Sequence, residues 1–182
     1  MNSDKGKQLA LMLRRRAMDL LARREHTRQE LEQKLLSRLR RDAGKKNDSA
    51  ADSTVPAADI LAQVLDQLEA DKLLSDARFT ESFVSARSGR GYGPLYIRHQ
   101  LRQKQVDDTL SQNSLEAIDQ QQWQQQLIVL LRRKLGDAPI PAPLSKEYAR
   151  LQRFVLARGF TQTQWREVQK QWAQLIQTRQ LH

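Results

Sequence analysis

The sequence predicts an all-α protein built from three tandem three-helix repeats. Leu, Ala, Gln and Arg are abundant, apolar residues recur at three-to-four spacing, and no convincing stretch alternates apolar and polar residues as a strand would. Hydrophobic residues make up 39% of the 182 residues but aromatic residues only 5%, which favours several small cores over one deep core.

Short segments with a common pattern identify the repeats. Residues 97–106 and 151–160 align with apolar residues at the first, fifth and tenth positions and a cation at the eighth. The segment that begins at Leu31 starts in the same way, with Leu35 at its fifth position and Arg38 at its eighth. A pattern that returns along a chain is typical of a repeat architecture.

Helix start and stop signals give the boundaries of the repeats. The first repeat is predicted at 1–75 with a polar loop at 42–55, the second at 76–118, and the third at 119–182 with a Pro-rich loop at 136–144. The polar loop is a candidate for disorder because it consists mainly of small and polar residues. The nine helices are predicted at 5–25, 28–41, 56–73, 76–89, 94–104, 108–117, 120–135, 146–158 and 162–178.

Capping residues support these boundaries. Thr27 is followed three residues later by Glu30, and Thr161 by Gln164, as in a capping box. Pro94 suits the first position of a helix. Further caps are predicted at Ser75, Asp107, Asp119 and Ser145, and helix stops at Gly136 and Gly159.

Apolar residues at helical spacing predict the buried faces. Trp165 and Trp172 are seven residues apart with Val168 between them, which indicates a core stripe and not a platform for stacking bases. The other predicted stripes are Leu13, Ala17, Leu20 and Leu21; Leu31 and Leu35; Phe79, Phe83 and Ala86; Ile97 and Leu101; Trp123, Leu127 and Leu131; and Leu151 and Val155.

The positive charge predicts attraction to polyanions. The formal net charge is +10, and positive blocks at 1–41, 77–106 and 128–182 alternate with negative blocks at 42–76 and 107–127. Such a charge favours nucleic acid or an acidic protein surface as a partner. The alternative is that the charges only keep the outer helix faces in contact with water.

No residue pattern indicates an enzyme, a cofactor or a metal site. The chain has no cysteine, and His26 and His99 are isolated, so each is read as a capping or surface residue. Asp66, Glu69 and Asp71 are read as a solvated face. Apolar runs of five residues are too short for a membrane span or a secretory core, so we expect a cytoplasmic protein.

A glycine-rich corner joins two helices of the second repeat. The run from Gly89 to Gly93 follows a helix and lacks the Gly-Lys-Ser/Thr ending of a phosphate loop, so a nucleotide site is not expected. Its glycines suit a turn where helices meet closely, with Arg90 and Tyr92 projecting outward. Whether the corner is only a turn or also a contact surface stays open at this stage.

The segment around this corner resembles the RecX family of bacterial recombinase regulators. The features that carry the resemblance are Asp76, Arg78-Phe79, Arg87, Gly91-Tyr92-Gly93, Ile97, Leu101 and Lys104-Gln105-Val106. They stand in the family's order over about thirty residues. The glycine that the family has at position 105 is Gln105 here; if that position is left-handed, glutamine costs roughly 1 kcal/mol.

The resemblance implies an elongated, curved array of repeats and a non-enzymatic regulator. Such a protein binds the RecA recombinase, lodges in the groove of its filament on single-stranded DNA, and suppresses ATP hydrolysis, strand exchange and coprotease activity. We also expect a monomer with weak, non-specific DNA binding. A direct DNA- or RNA-binding module is the alternative, since three-helix units can place a basic helix on nucleic acid.

Two sets of residues are predicted to form the partner-binding surface. The glycine corner and the helices beside it concentrate arginine, which binds carboxylates and phosphates in a bidentate manner. We expect these arginines to face away from the Phe83, Ile97 and Leu101 core. The first set is Arg87, Arg90, Tyr92, Arg98, Arg102 and Lys104, and a secondary basic surface comprises Arg14, Arg15, Arg16, Arg23, Arg24, Arg150, Arg153 and Arg158.

Overall fold

A computed structural model describes residues 2–46 and 57–180, with side chains from 4–42 and 57–176. All regular structure in these residues is α-helical, which confirms the predicted fold class. The helices are α1 (Asn2–Leu21), α2 (Arg28–Lys46), α3 (Ala57–Ala70), α4 (Asp76–Ser88), α5 (Pro94–Gln103), α6 (Asp108–Glu116), α7 (Gln120–Leu135), α8 (Lys146–Ala157) and α9 (Gln162–Gln180).

The predicted helix boundaries agree closely with these elements. The main difference is α2, which continues through residues 42–46, the part of the predicted polar loop that the structure describes. The remainder of that loop lies outside the described residues. The Pro-rich loop at 136–144 is confirmed as non-helical.

The chain divides into two compact units, and the division falls within α4. Unit 1 is Met1–Phe79 and unit 2 is Thr80–His182. The predicted division into three repeats stays a prediction. Unit 1 packs α1, α2 and α3 around buried leucines, which include Leu13, Leu31, Leu35, Leu61, Leu65 and Leu68.

Unit 2 has a core of apolar side chains from α5, α7, α8 and α9. Ile97 and Leu101 of α5 are fully buried, and α5 packs on α6 while α7 and α8 pack on α9. Trp123, Trp165 and Trp172 are all buried, as their spacing predicts. The predicted core stripes at Leu151 and Val155 and at Leu127 and Leu131 are likewise buried.

Local hydrogen bonds explain where the helices begin. The Asp119 carboxylate accepts from the Gln122 amide and the Gln122 side chain accepts from the Asp119 amide, a complete capping box. Thr161 and Gln164 form the same arrangement. The other predicted caps are confirmed as well, with single side-chain bonds at Thr27, Ser75, Asp107 and Ser145.

Two predictions about burial are wrong. Ala86 is exposed and Phe83 is only half-buried, whereas Val84 and Thr80 of the same helix are buried, so the inward face of α4 is rotated from the predicted one. His26, expected as a capping or surface residue, is buried with 2% exposure. It directly precedes the cap Thr27, at the point where the chain enters α2.

A backbone joint between α8 and α5 fixes the glycine corner. The Gly93 amide donates to the Arg158 carbonyl (2.7 Å), and the Leu95 amide donates to the Gly159 carbonyl (3.0 Å). A Cβ at Gly93 would overlap the backbone of Gly159, and one at Gly159 would overlap Tyr96. The joint therefore uses the free amides at one helix start to satisfy the free carbonyls at another helix end.

Gln105 occupies the left-handed region, with φ of +53°. Its amide bonds to the Arg102 carbonyl, and the Val106 amide bonds to the Leu101 carbonyl, which closes α5. A non-glycine residue in this conformation is strained because its Cβ approaches the carbonyl oxygen. Glycine would adopt the conformation of position 105 without this strain.

Leu101→Ala should lower the free energy of unfolding by about 2–5 kcal/mol, because it leaves a cavity in a fully buried site. Leu95→Ala on the same helix is the matched control, since Leu95 is 51% exposed. Urea unfolding measures both changes. A Leu101→Ala loss under about 0.5 kcal/mol would contradict the assigned buried face.

Gln105→Gly should raise the free energy of unfolding by up to about 1 kcal/mol, because glycine tolerates a positive φ without strain. Gln100→Gly in the interior of α5 is the control and should destabilise by about 1 kcal/mol, since glycine is unfavourable inside a helix. Thermal or urea unfolding of both variants checks the opposite signs. Equal destabilisation would show that the turn at position 105 imposes no strain.

Candidate functional site

A row of alternating cationic and aromatic side chains crosses unit 2. The Arg87 guanidinium carbon lies 5.0 Å from the Phe83 ring centroid and 5.9 Å from that of Tyr92. The Arg158 guanidinium carbon lies 4.8 Å from the Tyr92 centroid and 5.4 Å from that of Phe154. We call these side chains, with the terminal Lys104 and Lys134, the cation–aromatic row; in order they are Lys104, Phe83, Arg87, Tyr92, Arg158, Phe154 and Lys134.

Helix geometry and the backbone joint assemble this row. Phe83 and Arg87 are four residues apart on α4, and Phe154 precedes the Arg158 cap of α8 by four residues. Residues at this spacing lie on one face of a helix. The joint at Gly93 and Gly159 then brings the Arg158 side chain next to Tyr92, the residue before Gly93.

Tyr92 is held in place by a second aromatic ring. Its centroid lies 4.2 Å from that of Tyr96, and the two ring planes are 18° apart. Both tyrosines are half-buried. A stacked partner on α5 restricts the Tyr92 side chain, so that the cations beside it also have defined positions.

The two arginines of the row combine fixed positions with unpaired N–H groups. Within the part of the chain that the structure describes, neither Arg87 nor Arg158 makes an ion pair or a side-chain hydrogen bond. Packing on rings restrains each guanidinium but leaves its N–H donors without a partner. A carboxylate or phosphate can therefore bind with less loss of side-chain entropy than at a free arginine.

The structure divides the first predicted set of site residues between two faces. Arg87, Tyr92 and Lys104 belong to the row. The prediction that Arg87 faces away from Phe83 is wrong, because Arg87 packs on the Phe83 ring. Arg98 and Arg102 lie on a different side of α5 from Tyr96, since separations of two and six helical residues place them roughly 160° and 120° from it around the helix. The last member, Arg90, is exposed at the corner.

Arg98 and Arg102 lie on one face of α5 together with an apolar residue. Leu95 is 51% exposed, and successive spacings of three and four residues place it, Arg98 and Arg102 on one face of the helix. Arg102 has a distant partner, with its Nε 3.7 Å from the Asp108 carboxylate, and both side chains are largely exposed. Arginine is enriched at protein interfaces, and an exposed leucine beside it adds apolar contact area.

The secondary set of basic residues has more varied surroundings. Arg14 pairs with Asp71 at 2.7 Å. Arg16 pairs with Asp42 at 2.8 Å. Of the others, Arg24 pairs with Glu30, Arg153 donates to the Ala149 carbonyl, Arg158 belongs to the row, and Arg15, Arg23 and Arg150 are exposed.

Two acidic residues of α3, and Asp71 just after its end, are partners of unit 1 arginines. Arg28 contacts both Asp66 and Glu69 at 2.6 Å. The hydrogen bond from Arg14 lowers the pKa of Asp71, and Gln67 donates a second bond that lowers it further. These three carboxylates are exposed, as the prediction of a solvated face requires, and each is also ion-paired.

Two residues of the segment that resembles the RecX family form hydrogen bonds within unit 1. The Asp76 carboxylate accepts from the Arg28 amide at 2.8 Å, at the start of α2. The Arg78 side chain donates to Glu25 at 2.9 Å and to the Lys72 carbonyl at 2.7 Å. Both residues thus have a structural role in the motif, distinct from that of the exposed cations.

The described residues contain neither a cluster of three or more His, Asp or Glu that could hold a metal ion nor a helix long and apolar enough to cross a membrane. The chemistry that the site offers is the binding of anionic groups.

Comparison with known proteins places these features in a family. The model of the second three-helix domain of RecX matches residues 75–115, which include α4, α5 and most of α6. The regulatory protein RecX of Pseudomonas savastanoi pv. phaseolicola is 40% identical over 151 residues, covering 81% of this chain and 83% of its own. The chain belongs to the RecX family. The regulatory protein RecX of Serratia proteamaculans is 33% identical over 165 residues, covering 87% of this chain and 96% of its own.

Solved structures share the fold of this RecX-family chain. A crystal structure of RecX from Lactobacillus salivarius has a TM-score of 0.68 at 18% identity and covers 94% of this chain and 99% of its own. A second crystal structure of a regulatory protein RecX has a TM-score of 0.66 at 18% identity, covering 91% and 74%. The family of regulatory proteins and the all-helical fold predicted from the sequence are therefore confirmed.

His26 is a buried titratable residue of unit 1. Burial lowers the pKa of its imidazole, and the positive charges of Arg24 and Lys34 lower the pKa further, against the opposing effect of Glu30. Its Nδ1 lies 3.4 Å from a Glu30 carboxylate oxygen. The folded protein therefore favours the neutral form of this side chain.

Unit 1 should lose stability as the pH falls through about 6.5, the ordinary pKa of histidine in an unfolded chain. Below that value the unfolded state binds a proton that the folded state resists, so the free energy of unfolding decreases. His26→Gln should reduce this pH slope, whereas His99→Gln, which removes an exposed imidazole, should retain it. Urea unfolding between about pH 5.5 and 8 measures the slopes; equal slopes for His26→Gln and the parent would contradict the assignment.

Proposed function

We propose that this RecX-family chain is a non-enzymatic, cytoplasmic regulator of homologous recombination and DNA repair that binds the RecA recombinase as a monomer. It lodges in the groove of the RecA filament on single-stranded DNA and inhibits ATP hydrolysis, strand exchange and coprotease activity. Membership of the RecX family supports the regulatory part of this proposal. The choice of partner comes from the family resemblance in the sequence.

The cation–aromatic row is the observation that carries the proposed contact. It offers Arg87 and Arg158 with restrained side chains and N–H groups that no described residue occupies. Carboxylates on a protein partner would accept charge-assisted, bidentate hydrogen bonds from these N–H groups. Rings beside the arginines would add apolar contact area, a combination common among residues that dominate interface energies.

The Leu95, Arg98 and Arg102 face provides a second contact on the same unit. It differs from the row because its arginines are exposed and not restrained by rings. A regulator with two contact faces can touch a polymer at more than one position. Each added contact is then intramolecular, and its effective concentration strengthens binding without any single strong contact.

Direct binding of DNA or RNA is the alternative function. The observation that favours it is the presence of aromatic rings among the cations of the row, since bases stack on such rings. Both functions use the same arginines. They differ in whether the isolated protein, without RecA, binds nucleic acid tightly.

The sharpest test uses RecA-dependent ATP hydrolysis on single-stranded DNA. The parent should inhibit hydrolysis, and Arg87→Lys combined with Arg158→Lys should require roughly thirtyfold more protein for the same inhibition, because lysine keeps the charge but loses the planar, bidentate contact, worth about 2 kcal/mol. Lys146→Gln combined with Arg166→Gln removes two exposed charges elsewhere and should inhibit like the parent.

A double variant of the second face completes this experiment. Arg98→Gln with Arg102→Gln should leave folding almost unchanged, since exposed charges contribute little to stability, and should also weaken inhibition. If the folded parent fails to inhibit RecA, the proposed partner is wrong. If the parent inhibits and both double variants inhibit equally well, the proposed binding surface is wrong.

A further inference from the structure

Unit 2 contains a cavity that is lined by residues of α4, α6 and α7 and of the turn between α6 and α7. Its volume is about 910 Å³, within the roughly 300–1,000 Å³ that is usual for small-molecule sites. No residue of the cation–aromatic row lines it, so the two sites are separate. We call it the three-helix cavity.

The charge of the cavity lining is opposite in sign to that of the whole chain. The chain has a formal net charge of +10. The charged residues among those described that line the cavity are two carboxylates, Glu81 and Asp119, and neither arginine nor lysine is present. Charges farther than about 10 Å away are largely screened at ordinary salt concentrations, so the two carboxylates decide which ions the cavity attracts. The lining therefore favours a cation.

Glu81 is a carboxylate that the cations of the protein leave available. It is exposed, and it makes no ion pair or hydrogen bond within the described part of the chain. By contrast, Asp71 is paired with Arg14 at 2.7 Å. Asp119 accepts a hydrogen bond from the Gln122 amide at the start of α7, and a carboxylate has lone pairs for further donors. Both carboxylates can thus accept hydrogen bonds from a ligand.

The remaining lining supplies a further acceptor and an apolar surface. The Gln126 Oε1 oxygen is buried, and it accepts no hydrogen bond within the described residues. A buried acceptor without a donor is unfavourable, so a ligand N–H that reaches this oxygen is stabilised. Apolar contact area for a hydrocarbon chain comes from Val84, Leu110 and Ile118.

We propose that the three-helix cavity binds a linear aliphatic polyamine. An ammonium group has three N–H donors and no acceptor, so it matches the carboxylate and carbonyl oxygens of the lining. The methylene groups between the ammonium groups pack on the apolar residues. A metal ion would leave that apolar surface without a contact. The ligand is opposite in charge to the carboxylate partners of the row, and its binding does not depend on a recombinase.

The test titrates spermidine into the ¹⁵N-labelled full chain at constant ionic strength and follows the amide signals by NMR. Signals of residues that line the three-helix cavity should shift and saturate. n-Butylamine, with one ammonium group, should bind about fivefold more weakly, because it cannot pair with both carboxylates at once. Shifts spread equally over the acidic residues of α3, or no saturable shift, would overturn the proposal. So would binding of a lysine-containing peptide but not of spermidine, since the occupant would then be a protein.

A pair of variants that each remove one negative charge tests the role of Glu81. Glu81→Gln nearly preserves the shape of the side chain and should weaken spermidine binding about fivefold, because one charge interaction is lost. The matched control is Glu147→Gln, which removes an exposed carboxylate of unit 2 that does not line the cavity. The control should bind like the parent. Equal loss in both variants, or no loss in Glu81→Gln, would contradict the proposed site.

A third variant tests the cavity itself without a change in charge. Ser85 lines the cavity at an exposed position of α4, so Ser85→Leu should fill part of the space and weaken spermidine binding about tenfold. Its melting temperature should stay close to that of the parent, because substitutions at exposed positions have small effects on stability. Full binding by the folded Ser85→Leu variant would overturn the proposal. If this variant does not fold, the comparison of Glu81→Gln with Glu147→Gln decides.

Discussion

The backbone joint between Gly93 and Gly159 is the contact on which the candidate site in unit 2 depends. Amides that α5 leaves free at its start donate to carbonyls that α8 leaves free at its end, at 2.7 and 3.0 Å. Only residues without a Cβ allow this approach. The joint sets the position of Arg158 relative to Tyr92, and so makes one continuous row from two separate Phe–Arg pairs.

Charge pairing gives unit 1 a different organisation. The α3 carboxylates Asp66 and Glu69 pair with the Arg28 side chain, and Asp76 accepts a hydrogen bond from the Arg28 amide, so segments far apart in the sequence are joined at the start of α2. Those pairs neutralise charge where the start of α2 meets α3. The described cations between α1 and α2 have fewer carboxylate partners, with Asp42 paired to Arg16 and Glu30 to Lys34.

The two candidate contact faces of unit 2 differ in how their cations are held. In the cation–aromatic row, rings restrain each guanidinium, which suits a few directional contacts to carboxylates. Arg98 and Arg102 are exposed and are not restrained by rings, so they can adapt their positions to a partner.

The sequence by itself determined the helices, their caps, most of the core stripes and the family, because all of these depend on residues within a few positions of one another. Asp119 with Gln122 and Trp165 with Trp172 are examples. Only the tertiary structure decided which cations are paired, since Arg14 meets Asp71 across 57 positions. It likewise decided that Arg158 joins Tyr92 and that Val84, and not Ala86, is buried, because contacts between distant helices set both.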